Sequence, residues 1–179
     1  MLSPENSALI VIDIQGNLAH MMHEKEAFFK NVQIMIKGAK ILDIPIVWIE
    51  QYPQGLGPTI PEVAELLDGN QPIGKITFNG CLNENILQAI ESLQRRRLLI
   101  TGMETHICVY QTVMGLLRSG FEVHIVGDAV SSRTSANKKI GIEKMKEGGA
   151  YITSTETVLF ELLGIAGGEE FKEILNLVK

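Results

Sequence analysis

The fold of this 179-residue chain is indicated first by an apolar run near the N-terminus, Ala8-Leu9-Ile10-Val11-Ile12, which stops at Asp13. A continuous run that is rich in β-branched residues is typical of a strand covered on both faces of a parallel sheet. Five other segments have the same character and are predicted as strands: Ile44 to Ile49, Lys75 to Phe78, Arg97 to Ile100, Val123 to Val126 and Ala150 to Thr153.

Longer amphipathic segments separate these runs. The predicted helices are Lys25 to Lys40, Pro61 to Leu67, Glu84 to Gln94, Thr105 to Arg118, Ser135 to Glu147, Thr155 to Leu163 and Glu169 to Val178. Gly120 and the pair Gly148-Gly149 follow two of them, as residues just past a helix end often do. Strands that alternate with helices predict an α/β fold with a mostly parallel sheet and helices on both of its faces.

Length and composition bound the class of protein. A chain of 179 residues predicts one domain over residues 1–179. The formal net charge of -5 argues against a nucleic-acid or anionic-membrane surface. No apolar stretch approaches the roughly 20 residues of a membrane helix, and no basic cluster precedes the first apolar run. We therefore expect a cytoplasmic protein with no membrane partner.

Two charged residues adjoin predicted strands. Asp13 follows the first strand, where a partly desolvated carboxylate has a tunable pKa, but taken alone it fits a helix N-cap or a solvated loop acid better. Lys75 begins the third predicted strand. It is either a snorkelling side chain or an ammonium in the cleft that lowers the pKa of a neighbouring thiol or acid.

The two cysteines, Cys81 and Cys108, are too few for a disulfide framework or a four-cysteine zinc site. Cys108 lies in the first turn of a predicted helix, where the helix dipole and unpaired N–H groups favour a thiolate and bind an oxyanion. The alternative is a buried structural cysteine. A redox pair of the two thiols lacks the Cys-x-x-Cys spacing.

The longest irregular stretch, Gln51 to Thr59, follows a strand's carboxyl end, where open α/β sheets bind ligands. It is therefore a candidate pocket wall. Gln51 and Tyr52 from this stretch, with Phe78 and Asn79 after the third strand, are the predicted substrate-binding residues, because they flank strand ends.

Asp13, Lys75 and Cys108, taken together in this order, resemble the Asp–Lys–Cys triad of the isochorismatase-like cysteine hydrolase superfamily. The stretch from Thr101 through Cys108 to Val109 carries most of the likeness, which covers almost the whole chain. Two further stretches, Glu50 to Pro53 and Asp128 to Arg133, are similar to the isochorismatase-domain-containing group. The resemblance implies a three-layer αβα sandwich of Rossmann-like type.

The same resemblance implies roles for the three residues. Cys108 attacks a carbonyl carbon and forms a thioester-type intermediate, Asp13 moves protons, and Lys75 stabilises the thiolate. A cis peptide, expected at Met103-Glu104, aims the backbone N–H groups of Glu104 and Cys108 at the oxyanion. No metal and no cofactor is implied.

Two differences from well-defined branches of the superfamily limit which reactions this chain is expected to catalyse. Isochorismatases proper lack the cysteine, and the nicotinamidases' Asp-x-His metal site is replaced here by Glu50-Gln51-Tyr52. We therefore expect a metal-independent hydrolase of a small amide-like molecule, with rapid alkylation of Cys108 near neutral pH. The alternative is a non-catalytic oligomeric binding module on the same fold. A homo-oligomer, dimer or larger, is expected, with the apolar segments from Val158 through Val178 as a candidate interface. Glu104 contacts either a polar substrate or a partner subunit.

Overall fold

A computed structural model describes residues 1–179, and its centre is a six-stranded sheet in which all strands are parallel. The strands are β1 (Ser7–Ile12), β2 (Ile46–Gln51), β3 (Ile73–Lys75), β4 (Arg97–Met103), β5 (Glu122–Ser131) and β6 (Tyr151–Thr153). Their order across the sheet is β3-β2-β1-β4-β5-β6. The predicted α/β class with a parallel sheet is confirmed.

Nine α-helices connect and cover the strands. They are α1 (Gly16–Ala19), α2 (Lys25–Ile41), α3 (Pro53–Leu56), α4 (Pro61–Ala64), α5 (Glu84–Ser92), α6 (Tyr110–Arg118), α7 (Ser135–Glu147), α8 (Thr155–Leu163) and α9 (Gly168–Val178). A π-helical turn, Thr105–Val109, precedes α6. None of the helices is both long and apolar enough to cross a membrane.

The sheet separates two apolar cores. Leu9 and Val11 of β1 pack on one face with buried residues of α2, α8 and α9, whereas Ile10 and Ile12 pack on the other with residues of α5, α6 and α7. Neighbouring side chains of a strand point to opposite faces, so a continuous apolar strand fills both cores. This arrangement is the three-layer αβα sandwich that the sequence predicted.

The chain changes direction across the sheet at β1. β1 pairs with β2 on one side and with β4 on the other, so the connections that follow these two strands diverge. In open α/β sheets, the crevice at such a switch point, outside the carboxyl ends of the strands, is where ligands bind. Asp13 follows β1 and the Thr105–Val109 turn follows β4, so both lie at this crevice.

The third strand differs from the prediction. It spans Ile73–Lys75 rather than Lys75 to Phe78, so Lys75 ends the strand instead of starting it. Gln51 is the last residue of β2 and pairs with Lys75, and the next residue, Tyr52, turns away with φ 38. Beyond Lys75 the edge segment therefore has no neighbouring strand, and Ile76 and Phe78 are exposed.

Candidate active site

Three chain segments bring Asp13, Lys75 and Cys108 to the carboxyl edge of the sheet. Nζ of Lys75 lies 2.7 Å from Oδ2 of Asp13, and the two side chains are 0% and 3% exposed. Cys108 is 6% exposed and belongs to the core packed under α6. The residues are 62 and 33 positions apart in sequence, and the parallel topology places their strand ends side by side.

The backbone of Asp13 is held in an uncommon conformation. Its φ of 59 lies in the left-handed region, while its N–H donates to the carbonyl oxygen of Ile49 at 3.0 Å. Aspartate tolerates this region better than most residues, but the conformation still costs of order 1–3 kcal/mol. The next strand approaches closely here, because Gly102 of β4 lies against Ile12 with φ +147 and a Cβ there would overlap the Ile12 carbonyl oxygen.

Burial raises the pKa of both Asp13 and Cys108. Desolvation raises the pKa of Asp13 above its usual 3.8, opposed by the charge of Lys75. Oδ1 of Asp13 is buried and accepts no hydrogen bond, so it is the oxygen able to take a proton. Burial, with the negative charge of Asp13 second, raises the pKa of the Cys108 thiol to about 12, against the opposing charge of Lys75.

These pKa shifts favour the protonated thiol of Cys108 in the free protein. The sequence suggested a thiolate stabilised by the start of a helix, whereas burial and the charge of Asp13 raise the thiol pKa against the opposing charge of Lys75. The thiol of Cys81, the other cysteine, contacts neither Asp13 nor Lys75. Its Sγ donates instead to the carbonyl oxygen of Thr112 at 3.7 Å.

Gln51 contacts the reactive residues themselves. Its Oε1 accepts from Nζ of Lys75 at 2.5 Å and lies 3.8 Å from Sγ of Cys108, while its Nε2 donates to the carbonyl oxygen of Ile76 at 2.7 Å. The sequence placed Gln51 among the pocket-wall residues. The structure places its amide between the ammonium and the thiol.

Gln15 and Glu50 fix the segment after β2, and the sequence did not single them out. Gln15 pairs with the backbone of Gln51, accepting its N–H at 2.6 Å and donating to its carbonyl oxygen at 3.1 Å. Oε1 of Glu50 accepts from N and Oγ1 of Thr59, both at 2.7 Å. The available signal was a run of polar residues directly after two buried strands.

The other predicted pocket residues differ in how far they are exposed to solvent. Tyr52 and Phe78 are 49% and 54% exposed. Asn79 is buried, and its side-chain oxygen accepts from the N–H of Cys81 at 2.9 Å, so it caps the turn that follows. Oγ1 of Thr112, on α6, accepts from the N–H of Gly80 at 2.9 Å and ties this loop to the helix after Cys108.

Glu104 joins β4 to the turn that carries Cys108. The structure contains no cis peptide bond, so the predicted cis bond at Met103-Glu104 is wrong; Glu104 instead makes the turn with φ 56. Its carboxylate is 7% exposed and accepts from Nε of Arg133 at 2.9 Å, with Nδ1 of His106 3.4 Å from the other oxygen. Since His106 bonds to Ser132 at 3.0 Å, it is occupied away from the thiol.

Comparison with known proteins agrees with this fold. The Isochorismatase domain family model matches residues 7–157. Isochorismatase domain-containing protein 2 of Bos taurus is 36% identical over 177 residues, covering 98% of this chain and 84% of that protein. A solved structure described as MAR1 ribonuclease from Caenorhabditis elegans has a TM-score of 0.93 and 33% identity, covering 99% of this chain and 91% of the other.

A more distant solved structure has the same fold. The ycaC gene product of Escherichia coli, described as an octameric hydrolase of unknown specificity, has a TM-score of 0.92 and 22% identity, with 98% of this chain and 89% of that chain covered. The chain belongs to the isochorismatase family, and that membership supports a hydrolase of the isochorismatase-like superfamily.

Proposed function

We propose that this protein is a metal-independent cysteine hydrolase that cleaves the C–N bond of a small amide-like substrate. The observation that carries the proposal is the buried Lys75–Asp13 pair at 2.7 Å beside the buried thiol of Cys108. A thiol, a carboxylate oxygen with no other partner and a fixed positive charge are the groups that acyl transfer through sulfur requires.

The first half of the reaction forms a thioester. Oδ1 of Asp13 takes the thiol proton of Cys108 as the sulfur attacks the carbonyl carbon, and the carbonyl electrons move to oxygen. We keep the backbone N–H groups of Glu104 and Cys108 as the proposed donors to this oxyanion on the family resemblance alone, because the cis bond expected to aim them is absent. The C–N bond then breaks with its electron pair on nitrogen, which receives the proton from Asp13 and leaves as an amine or ammonia.

Water completes the cycle. It gives a proton to Asp13 and attacks the thioester carbon, and the C–S bond breaks with its electrons on sulfur. The sulfur of Cys108 recovers the proton from Asp13, and the carboxylic acid product leaves. Throughout, the ammonium of Lys75 favours the ionised form of Asp13, which burial alone disfavours.

The walls of the site bear on the size of the substrate. Tyr52 and Phe78 are exposed aromatic side chains near the strand ends, whereas Gln51 and Asn79 are buried. Two exposed aromatic side chains near buried polar groups suit a small, partly apolar amide. We therefore keep Tyr52 and Phe78 as substrate contacts and assign Gln51 and Asn79 to support of the site.

Cleavage of RNA is the competing activity, because the similar nematode structure is described as a ribonuclease. A polyanionic substrate needs a basic surface, and this chain carries 16 basic against 21 acidic residues. Two basic side chains at the site are already paired, Lys75 with Asp13 and Arg133 with Glu104. These observations favour a small neutral substrate.

Two further properties belong to the proposal. We propose a homo-oligomer, by analogy with the octameric bacterial neighbour, and a cytoplasmic location. The non-catalytic binding module remains the alternative for the same fold, but a module of that kind has no need of a buried ion pair beside a thiol, which is costly to maintain.

The test is a screen of small amides for release of ammonia or amine, with a structured and a single-stranded RNA in parallel. The wild-type protein is compared with Cys108→Ala and with the matched variant Cys81→Ala. We expect hydrolysis of at least one amide, loss of that hydrolysis in Cys108→Ala and its retention in Cys81→Ala. RNA cleavage without amide hydrolysis, or amide hydrolysis that survives Cys108→Ala, would refute the proposal.

A further inference from the structure

The amide of Gln51 is bonded on both of its atoms within the site. Its Nε2 donates to the Ile76 carbonyl oxygen at 2.7 Å, which is an acceptor only. The amide oxygen must therefore face the other way, toward Nζ of Lys75 at 2.5 Å and Sγ of Cys108 at 3.8 Å. The amide orientation is fixed because the Ile76 carbonyl can only accept and the Lys75 ammonium can only donate a hydrogen bond.

The backbone under this amide is equally fixed. Gln15 brackets residue 51 by accepting from its N–H and donating to its carbonyl oxygen, and it also donates to the Gly57 carbonyl oxygen at 2.7 Å. Residue 51 is 8% exposed. A side chain anchored at both ends and buried has little freedom to swing toward a substrate, so direct substrate binding is a poor description of its role.

An amide oxygen favours one protonation state of its neighbour. It accepts a hydrogen bond from an ammonium or from S–H, but it offers no proton to a thiolate and repels its negative charge. The charged groups that act on Cys108 are Asp13 from the end of β1, Lys75 from the end of β3 and Glu104 from the end of β4. The Lys75 ammonium bonds to Asp13 and Gln51 in the resting site.

We propose that Gln51 is a positioning residue that holds the Lys75 ammonium on Asp13 and keeps Cys108 in its thiol form until a substrate is bound. The inference rests on the proposed role of Cys108 as nucleophile. In this arrangement Cys108 stays a thiol in the free protein because the Lys75 ammonium is held by two acceptors other than sulfur. It also replaces the earlier assignment of Gln51 as a substrate contact.

Alkylation by iodoacetamide from pH 6 to pH 10 tests this without any substrate. The rates at Cys108 and Cys81 are followed by peptide mass spectrometry in the wild type, Gln51→Leu and Gln51→Glu. Gln71→Leu, the same change at an exposed glutamine, is the matched control. Cys81 serves as the internal reference for general loosening of the fold.

The two Gln51 variants are expected to act in opposite directions. Leucine removes the acceptor and leaves Lys75 able to turn to sulfur, so alkylation of Cys108 at pH 8 rises about 3- to 10-fold, as expected for the loss of one hydrogen bond. Glutamate keeps an acceptor for Lys75 and adds negative charge beside sulfur, so alkylation falls by a similar factor. Cys81 and the Gln71→Leu variant keep wild-type rates.

Each other outcome overturns the inference. If both Gln51 variants speed alkylation of Cys108 and Cys81 alike, the residue only supports the fold. If neither variant changes the rate at Cys108, or if leucine slows it, Gln51 does not set the protonation of the thiol. Failure of the amide screen would refute the hydrolase proposal while leaving these alkylation rates unaffected, so the two failures are distinguishable.

Discussion

Replacing Lys75 with methionine removes the only partner of the buried Asp13 charge. The pair is 2.7 Å apart with side chains 0% and 3% exposed, so little solvent is available to take over from the ammonium. Removing one member of a buried pair costs about 3–5 kcal/mol of unfolding free energy. For a chain of this size that loss lowers Tm by about 10 °C.

A surface pair in the same chain is the control. Nζ of Lys172 also lies 2.7 Å from Oε1 of Glu169, but these side chains are 67% and 80% exposed. Lys172→Met is expected to cost at most about 1 kcal/mol because water screens the pair. The comparison holds the substitution and the distance constant and changes only the burial.

The deficit of Lys75→Met depends on pH with a definite sign. The pKa of Asp13 in the folded protein is already raised above its usual 3.8, and the variant loses the charge that opposes this rise. A raised folded pKa means that the folded state holds the proton more tightly than the unfolded chain. The variant therefore regains stability as the pH falls toward 3.8 and loses it as the pH rises through the folded pKa.

The assay is urea unfolding between pH 4.5 and pH 8. It compares the wild type, the single variants Lys75→Met and Asp13→Asn, the double variant Asp13→Asn/Lys75→Met and the control Lys172→Met. We expect the double variant to be at least about 2 kcal/mol more stable than the sum of the single losses implies. If the single losses add to within about 0.5 kcal/mol, or if Lys75→Met costs no more than Lys172→Met, the reasoning is refuted.

Three other outcomes follow from the geometry. Alkylation of wild-type Cys108 should keep rising up to pH 10 because its thiol pKa is about 12, and a plateau between pH 7 and pH 8 would contradict this. Gln15→Leu should lower the free energy of unfolding by about 2–4 kcal/mol because buried backbone groups of Gln51 lose their partner. Hydrogen exchange over residues 51–59 should become faster, and unchanged exchange there would contradict the prediction. Gly102→Ala should lower the free energy of unfolding by at least about 2 kcal/mol because the new Cβ meets Ile12. The control Gly120→Ala, where φ is +85 and the space is open, should lower it by about 1 kcal/mol. Equal losses in the two variants would count against the close approach.

Much of the fold follows from periodicity in the sequence. The predicted bounds of α7 and α8 agree with the structure, and the apolar runs at β1 and β4 are strands of the central sheet. These elements are long or strongly patterned, so burial alone specifies them. The meeting of Asp13 with Lys75 did not follow from the predicted strands, because Lys75 was placed at the start of the third strand and in fact ends it. Only the family resemblance grouped the two residues.

Other features depend on contacts between distant residues and were not foreseeable. The end of β3 is decided by where β2 stops supplying backbone partners, which the sequence around Lys75 does not show. The bonds from Gln15 to Gln51 join residues 36 positions apart through particular rotamers. The burial that raises the pKa of Cys108 was not visible to the local helix-end argument, which favoured a thiolate.

The central claim, that Cys108 forms a covalent intermediate with Asp13 moving the protons, is tested most directly by intact-protein mass spectrometry during turnover of a hydrolysed amide. The wild type is quenched in acid at early times beside Asp13→Asn and Cys108→Ala. We expect an added mass equal to the acyl group, located on Cys108 in the wild type and absent from both variants. An acyl adduct on any other residue, or turnover at the wild-type rate in Cys108→Ala, would contradict the account.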